Sequence, residues 1–507
     1  MRVEVDVAPG LPGFTIVGLP DASLSEARER VRGALRNAGF HHPPRRITVN
    51  LAPAEVRKTG ASLDLAIALG ILLGSEQLRA GALRVGVIGE LGLGGEIRRV
   101  PGLLPMCLAL VRRGVTSVIV PADGAAEAGL APGACIIPVT TLAEAAEALR
   151  DGRSRRPVPV PLPRAGGPAA EGIALADAAL PAASAVPVAD LGDVRGQVVA
   201  RRALEIALAG EHSLLLVGPP GAGKTLLAQT IPGLLPDLDD ASALAATVVA
   251  SAAGDRHIAA LVRRPPVRSP HHTISYAGMV GGGPRLSPGE VTMADQGVLV
   301  ADELPEFGRD VLEALRQPLE EGVVSVVRVG RAAVMPARFT FVAAMNPCQC
   351  GHLGSVDRAC TCPPGAAERY QRRISGPLQD RIDLWVGVDR VAAVDLVGGP
   401  PAESSAIVAA RIAAARDRQR ARDDGAPNGR VRGRVLADRC RMDAATERRA
   451  VDLADNERLS GRGTDRLLRV ARTIADLEGS DRVRIRHVDE AAHFRSRVLV
   501  AKAREVA

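Results

Sequence analysis

A segment near the middle of the chain has the spacing G-x-x-x-x-G-K-[ST] of a loop that binds phosphate groups. Its residues are Gly218, Pro219, Pro220, Gly221, Ala222, Gly223, Lys224 and Thr225. Glycines let backbone N–H groups curl around phosphate oxygens, the Lys224 ammonium reaches the β- and γ-phosphates, and the Thr225 hydroxyl is a ligand for Mg²⁺. Only three of the 64 basic residues are lysines, and one of them stands here. We therefore predict that the chain binds a nucleoside triphosphate.

Such a loop must be positioned by a strand and a helix, and its flanks predict both. Residues 213–217 form an apolar run typical of a buried strand, and residues 226–234 have the pattern of a helix. A helix that begins at the loop directs its N-terminal N–H groups at the phosphates.

Polar residues end two further apolar runs downstream. Residues 297–301 predict a strand that ends at Asp302 and Glu303, and residues 339–345 predict another that ends at Asn346. Asp302 is suited to hold Mg²⁺ through water, Glu303 to act as general base, and Asn346 to position the attacking water and sense the γ-phosphate. An isolated Asp-Glu pair can instead cap a helix, but the upstream phosphate loop favours the catalytic interpretation.

Two arginines farther along have positions expected of groups that contact a triphosphate. Arg381 follows a predicted helix, as an arginine finger donated across a subunit interface would. Arg462 opens another predicted helix, from which we expect it to reach back to the phosphates. Because exposed arginine is common in this chain, the prediction depends on the order and spacing of these residues.

A cysteine cluster begins two residues after Asn346. Its members are Cys348, Cys350, Cys360 and Cys362, in the pattern C-x-C…C-x-C. Four thiolates can close a tetrahedron around a structural Zn²⁺ ion, which leaves no open position for catalysis. His352 is an alternative ligand, and reduced cysteines in a loop are the competing interpretation. Bound zinc would brace the loop that carries Asn346.

Composition and pattern divide the 507 residues into parts. These are an α+β domain at 1–150, a Pro/Ala-rich linker at 151–189, an α/β domain with the nucleotide motifs at 190–390, and a helical domain at 391–507. The sequence contains no long apolar run free of charges, and its first residues do not show a basic region followed by an apolar one, so we expect a cytoplasmic protein. A net charge of +7 permits a polyanionic partner.

Two motifs make residues 190–497 similar to the magnesium-chelatase-like branch of the AAA+ ATPases: Arg268–Ser275 and Asp302–Phe307. Residues 12–20 and 46–53 resemble the ComM/YifB family, in which a Lon-protease-like domain precedes the motor. The resemblance implies a hexameric ATPase ring that acts as a DNA helicase in branch migration during natural transformation. By resemblance, the motor roles described above fall to Lys224, Thr225, Asp302, Glu303, Asn346, Arg381 and Arg462. Family members carry another strand and loop before the position of Arg2, so a start upstream of Met1 stays open.

Residues 323–334 predict a hairpin that turns at Gly330, where this ATPase branch inserts a pore hairpin. Arg328 and Arg331 near its tip are the predicted contacts with DNA phosphates, and such contacts weaken with salt. The alternative is a solvated hairpin with ordinary basic residues.

The same resemblance bears on two other segments. Ser62 stands where Lon-like proteases keep their nucleophile, but Leu104 occupies the place of the lysine base, so we predict a non-proteolytic domain. For the pair His271-His272 we favour a structural or nucleic-acid-contacting role over catalysis.

Two other function classes stay open. One is the motor subunit of a magnesium chelatase, which porphyrin-binding partner subunits rather than DNA would stimulate. The other is a regulator or chaperone that acts on a protein partner, or uses ATP only to assemble.

Overall fold

A computed structural model describes residues 1–495 except 20–21, 54–57, 59, 82–83, 152–187, 284–285, 329–330, 356–357, 393, 395–401 and 423–424. The predicted α/β class is confirmed, with mixed small sheets first, a parallel sheet in the middle and helices last. The predicted linker at 151–189 lies almost entirely outside the described residues. No helix in the described ranges is long and apolar enough to cross a bilayer.

The N-terminal region consists of small sheets covered by helices. Its strands are β1 Arg2–Ala8, β2 Gly13–Val17, β3 Arg46–Ala52, β4 Val85–Val87, β5 Glu90–Leu91, β6 Ile97–Arg98, β7 Ser117–Pro121 and β8 Cys135–Val139. Its helices are α1 Ala22–Asn37, α2 Asp64–Gly74, α3 Leu103–Val111, α4 Ala125–Gly129 and α5 Leu142–Asp151. The strands pair in the orders β1-β3-β2, β4-β7-β8 and β5-β6. Helix α2 approaches β1 closely at Gly70, where a Cβ atom would lie 2.5 Å from Val5 Cγ2.

The central region is built on a five-stranded parallel sheet in the order β10-β13-β16-β9-β17. The strands of this region are β9 Leu214–Val217, β10 Val267–Arg268, β11 Gly281–Gly282, β12 Ser287–Pro288, β13 Val298–Ala301, β14 Val323–Arg328, β15 Arg331–Pro336, β16 Thr340–Met345 and β17 Leu384–Gly387. Every residue of β9, β13 and β16 is buried, as expected of parallel strands covered on both faces. The sheet therefore has a carboxyl edge and an amino edge at opposite ends of its strands.

Helices cover both faces of this sheet. They are α6 Val198–Gly210, α7 Lys224–Leu234, α8 Asp240–Ala253, α9 Tyr276–Val280, α10 Glu290–Met293, α11 Arg309–Ala314, α12 Arg316–Glu321, α13 Ala366–Gln371 and α14 Gly376–Gln379. Helix α8 is capped by Asp239, whose side chain accepts from Ser242 N.

The C-terminal helices share one apolar core with α6 and α7. They are α15 Ser405–Arg420, α16 Gly433–Cys440, α17 Ala444–Asn456, α18 Gly461–Leu477 and α19 Ile485–His493. Helix α18 packs its buried face against α6, which holds its first turn near the amino edge of the sheet.

The N-terminal and central regions meet where α3 packs on α8. The buried Glu127 carboxylate accepts hydrogen bonds from the Leu104 amide, 3.1 Å away, and from the Ser251 hydroxyl. Arg99 bonds to the same carboxylate and donates to the Asp255 carbonyl at 2.8 Å. The buried Glu127 carboxylate therefore has hydrogen-bond donors from both the N-terminal and the central region.

Candidate functional site

The phosphate loop joins the end of β9 to the start of α7. At Gly218 an added Cβ atom would lie 2.0 Å from the Val388 carbonyl oxygen, so only glycine fits. Gly221 and Gly223 have φ values of +76° and +92°, in the left-handed region that favours glycine. The glycines of the motif are therefore required by the path of the backbone.

Lys224 lies at the centre of this loop and is almost fully buried. Its Nζ donates to the carbonyls of Gly218 at 2.7 Å and Pro219 at 2.8 Å, and to Asn346 Oδ1 at 3.2 Å. Burial lowers the pKa of Lys224, and the carboxylates of Asp302 and Glu303 act in the opposite direction. The two motifs predicted to contact the γ-phosphate thus meet through Lys224 and Asn346.

Thr225 and Asp302 also come together. The Thr225 hydroxyl donates to Asp302 Oδ2 at 2.8 Å, and Asp302 Oδ1 accepts from the Glu303 amide at 2.9 Å. Hydroxyl and carboxylate oxygens are the hard ligands that Mg²⁺ prefers. This pair suits a magnesium ion that would bind the Thr225 hydroxyl directly and the Asp302 carboxylate through a water molecule.

Glu303 adopts a left-handed conformation with φ of +52°, which is uncommon for a residue with a long side chain. Its side chain is 54% exposed, and its Oε2 lies 3.2 Å from His272 Nδ1. The sequence interpretation missed this contact. The contact results from the parallel pairing of β10 with β13, which brings the residues after Arg268 to the carboxyl edge. Because β10 has only two residues, the sequence alone gives no pattern from which this pairing could be predicted.

The four cysteines converge as predicted, with all Sγ atoms within 4.8 Å of one another. The Sγ–Sγ distances are 3.4 Å for Cys348 and Cys350, 3.7 Å for Cys348 and Cys360, and 3.6 Å for Cys350 and Cys360. Burial opposes ionisation of Cys350, but backbone amides of His352 and Thr361 lower its pKa to about 5. Burial and the neighbouring thiols raise the pKa of Cys348 to about 12, and the pKa of Cys360 is also raised, so the shifts favour the thiolate, the form that binds metals, at Cys350 and oppose it at the other two. His352 is not among the four grouped ligands.

This cysteine loop also touches the phosphate loop. At Gly351, whose φ is +82°, an added Cβ atom would lie 2.4 Å from Pro220 Cδ. The loop is held from the other side by Gln371, which donates to the Pro347 carbonyl at 2.8 Å. A rigid cysteine cluster would consequently support both Asn346 and the phosphate loop.

The two predicted phosphate-contacting arginines lie at the amino edge. Arg381 pairs with Glu320, and Arg462 Nη2 lies 3.3 Å from Glu320 Oε1. Both line a cavity of 760 Å³, together with Ser213, Phe339 and other residues that precede parallel strands. Arg462 therefore does not reach back to the phosphate loop of its own chain, because the packing of α18 directs its first turn to the opposite edge.

The predicted hairpin is present as β14 and β15, and Arg328 is the backbone partner of Arg331. The turn at 329–330 and the side chains of Arg328 and Arg331 lie outside the described residues. On the same hairpin, Val327 and Val334 are 75% and 70% exposed. Their exposure gives the hairpin apolar surface beside its two arginine positions.

In the N-terminal region, Leu104 is fully buried and Ser62 is half-buried. The buried Lys58 ammonium donates to the Pro53 carbonyl. Outside the cluster, Cys107 and Cys440 are buried and Cys135 is half-buried in β8.

Comparison with known proteins gives matches along almost the whole chain. The family described as magnesium chelatase, subunit ChlI, matches residues 190–396, the subunit ChlI of Mg-chelatase family matches residues 3–124, and the ChlI C-terminal family matches residues 402–495. The uncharacterized protein YifB of Escherichia coli is 40% identical over 98% of this chain and 94% of its own length.

Two further relatives have names that refer to DNA or competence. Competence protein ComM of Haemophilus influenzae is 38% identical over 98% of this chain and 95% of its own length. DNA replication licensing factor mcm5 of Dictyostelium discoideum is 27% identical over 28% of this chain and 16% of its own length.

Proposed function

This chain belongs to the family of the YifB and ComM proteins, magnesium-chelatase-like AAA+ ATPases, and from that premise we propose that it is an ATP-driven motor that translocates DNA. The observation that carries the proposal is the hydrogen-bonded set of Lys224, Thr225, Asp302 and Asn346 beside Glu303. We further propose that the motor is a helicase that promotes branch migration during DNA uptake and recombination. A motor on chromosomal or incoming DNA would work in the cytoplasm.

In the proposed reaction, the Lys224 ammonium and the loop amides bind the β- and γ-phosphates of ATP. Thr225 and Asp302 would hold Mg²⁺, which when bound would supply positive charge beside the phosphate oxygens. As a water oxygen bonds to the γ-phosphorus, the bond from that phosphorus to the bridging oxygen of ADP breaks, and Glu303 accepts the proton of the water. Asn346 positions the water and the γ-phosphate.

We propose that the working unit is a homo-hexameric ring. Arg381 and Arg462 lie at the sheet edge opposite the phosphate loop, so each would serve the triphosphate of a neighbouring protomer. The nine arginines that line the cavity at this edge support binding of a polyanion.

DNA is the proposed track of this motor. The printed name of the ComM relative ties a protein of this architecture to competence, and the β14–β15 hairpin carries arginines at its closing positions. Arg328 and Arg331 are the proposed contacts with single-stranded or branched DNA in the channel of the ring.

Two subsidiary proposals concern the other regions. Cys348, Cys350, Cys360 and Cys362 are proposed to bind one structural Zn²⁺ ion, since four thiol groups already lie within bonding reach of one centre. Residues 1–150 are proposed to form a Lon-like domain without protease activity, which supports ring assembly or DNA engagement.

A magnesium-chelatase motor subunit is the second candidate, favoured by the three ChlI families that match the chain. In that case porphyrin-binding partner subunits, not DNA, would raise the rate of ATP hydrolysis. A motor that acts on a protein partner would respond to neither.

The decisive experiment compares ATP turnover of the wild type and Glu303→Gln, with and without a synthetic branched DNA junction, while junction dissociation is followed. We expect DNA to stimulate turnover, the junction to dissociate only with ATP, and both activities to disappear in the variant. Glu303-dependent turnover that ignores DNA would refute the DNA motor but retain the ATPase.

A further inference from the structure

Helix α13 and the two residues after it contact the segments that follow β13 and β16. Tyr370 in the helix and Ile374 just beyond it are buried. Both belong to the apolar core that also contains Leu304, three residues after β13, and Met345, the last residue of β16. The helix therefore shares one core with the two segments that carry the proposed general base and the water-positioning amide.

The first polar contact is made to the segment after β16. Gln371, the last residue of α13, donates from Nε2 to the Pro347 carbonyl at 2.8 Å. Pro347 directly follows Asn346. Because of this adjacency, the bond from Gln371 fixes the backbone beside the amide that is proposed to position the attacking water.

The second polar contact is made to the segment after β13. Arg373 Nη1 donates to the Pro305 carbonyl at 3.2 Å and to Glu306 Oε2 at 2.9 Å. The Glu306 amide donates to the Glu303 carbonyl at 2.8 Å, so Arg373 is bonded to the short turn that begins at the proposed general base. The side chains of Arg373 and Glu306 are 53% and 37% exposed, so their ion pair contributes little to the free energy of folding. Its effect is on geometry.

We propose that Gln371 and Arg373 are positioning residues for the hydrolysis of ATP. Together they form a brace that fixes the spacing between Glu303 and Asn346. One donor of the brace holds the peptide after Asn346, and the other holds the turn after Glu303. In the proposed reaction these two groups must meet the same water molecule, whose position relative to the γ-phosphorus determines the rate. The inference rests on the proposed roles of Glu303 and Asn346.

The test measures kcat, KM for ATP, equilibrium ATP binding and the melting temperature of Gln371→Ala, Arg373→Ala and Arg373→Lys in the full chain. We expect each alanine variant to lower kcat by about 10- to 100-fold, because a displacement of about 1 Å at a reacting group has an effect of that size. ATP affinity and melting temperature should stay at their wild-type values. Lysine can still donate to the Pro305 carbonyl, so Arg373→Lys should regain most of the rate.

The neighbouring arginine provides a matched control. Arg372 is 79% exposed and pairs with Glu368 of the same helix at 3.5 Å. Arg372→Ala should therefore keep wild-type turnover. An equal loss of kcat in Arg372→Ala and Arg373→Ala would overturn the brace, because it would show that only the positive charge of this surface matters.

A double-mutant cycle separates a brace from two independent supports. If both donors are needed to hold one spacing, Gln371→Ala combined with Arg373→Ala should lower kcat little further than either change alone. Three results would contradict the proposal: wild-type kcat in either alanine variant, losses that multiply in the double variant, or a loss of kcat that follows a fall in melting temperature.

Glu303→Gln distinguishes failure of the brace from failure of the proposed function. If Glu303→Gln loses turnover while Arg373→Ala keeps the wild-type rate, the general base stands and the brace is refuted. If Glu303→Gln keeps wild-type turnover, the general base is refuted, and the brace that rests on it is refuted as well.

Discussion

The carboxyl edge and the amino edge of the central sheet differ in how their charged side chains are paired. At the carboxyl edge the Lys224 ammonium, the Thr225 hydroxyl, the Asp302 carboxylate and the Asn346 amide bond to one another or to the phosphate loop. Each of these groups has a partner within the same chain. If the proposed function is correct, these residues would form a preorganised set of ligands for the nucleotide.

At the amino edge, nine arginines and six acids line a single cavity. Two of these arginines, Arg381 and Arg462, form ion pairs with the same Glu320 carboxylate. The Arg381 guanidinium holds the pKa of Glu320 below its usual value, although burial opposes that shift. One protomer therefore has a carboxyl edge whose polar groups are paired within the chain, and an amino edge with excess positive charge that is suited to bind an anion from another molecule.

Arg381→Ala tests the outward role of the amino edge and should have the largest effect. We expect ATP turnover to fall about 10³-fold, because the arginine would stabilise the transition state in a neighbouring protomer. ATP affinity should be unchanged, since Arg381 lies away from its own phosphate loop. An equimolar mixture with Glu303→Gln should regain about a quarter of wild-type turnover, because some interfaces then combine the two intact edges.

Matched controls separate the two edges in this experiment. Arg449→Ala removes an arginine that lies outside the cavity and pairs with Asp489 at 2.7 Å, and it should leave turnover intact. Mixing Lys224→Ala with Glu303→Gln should regain nothing, because both changes damage the carboxyl edge. A mixture of Arg381→Ala and Glu303→Gln that stays inactive would contradict the division of labour.

Asp383→Asn tests whether the amino edge needs a buried carboxylate to neutralise the arginines around it. Asp383 is buried, with His212 and Arg466 each 3.6 Å away. Burial opposes its ionisation, but the nearby His212 ring and the charges of Arg469 and Arg466 hold the pKa of Asp383 well below its usual range. Removing the carboxylate charge leaves these cations uncompensated, so we expect the free energy of unfolding to fall by about 3 kcal/mol at pH 7.

The pH dependence of this effect has a definite sign. Because the folded-state pKa is depressed, the stabilisation is present above the unfolded pKa of about 3.9 and is lost as pH falls toward the folded value. Urea unfolding should therefore show a large difference between Asp383→Asn and wild type at pH 7 that narrows below about pH 4. Asp417→Asn, at an exposed site, should change little at either pH; a constant gap across pH would contradict the assignment.

Cys350→Ser tests whether the carboxyl edge, besides its hydrogen bonds, also needs the cysteine cluster for its stability. We expect zinc content to drop from one ion per chain and the melting temperature to fall by about 5 °C, because the cysteine loop supports Pro220 and Asn346. Zinc is measured in freshly purified protein by elemental analysis, and melting by calorimetry. Cys135→Ser, outside the cluster, should change neither quantity, and zinc-free wild-type protein would exclude the metal.

Much of the carboxyl edge could be predicted from the sequence, because its groups follow recognisable strands at short range. The strand predicted at 213–217 is observed at Leu214–Val217, and the one predicted at 339–345 is observed at Thr340–Met345. Their apolar runs indicate burial, and parallel pairing brings their ends together. The convergence of the two cysteine pairs was also predictable, because only a short loop separates them in the sequence.

The amino edge and the His272 contact were much less predictable. Glu320 lies 61 residues from Arg381, and no spacing motif links it to Arg462. Arg462 was expected at the phosphate loop because a helix start carries no information about which sheet edge it faces. For His272, the sequence indicated a distinctive segment but not its partner Glu303.

The phosphate loop, the acids and the amide that end the strands, and the membership of a family of AAA+ ATPases can all be recognised without a structure. These depend on local patterns of residue type, which backbone geometry converts directly into strand, turn and helix. The contact of His272 with Glu303, and the pairing of both Arg381 and Arg462 with Glu320 at the amino edge, could be seen only in the folded chain. Such contacts depend on strand order and helix packing, where side chains distant in sequence become neighbours only when the core closes.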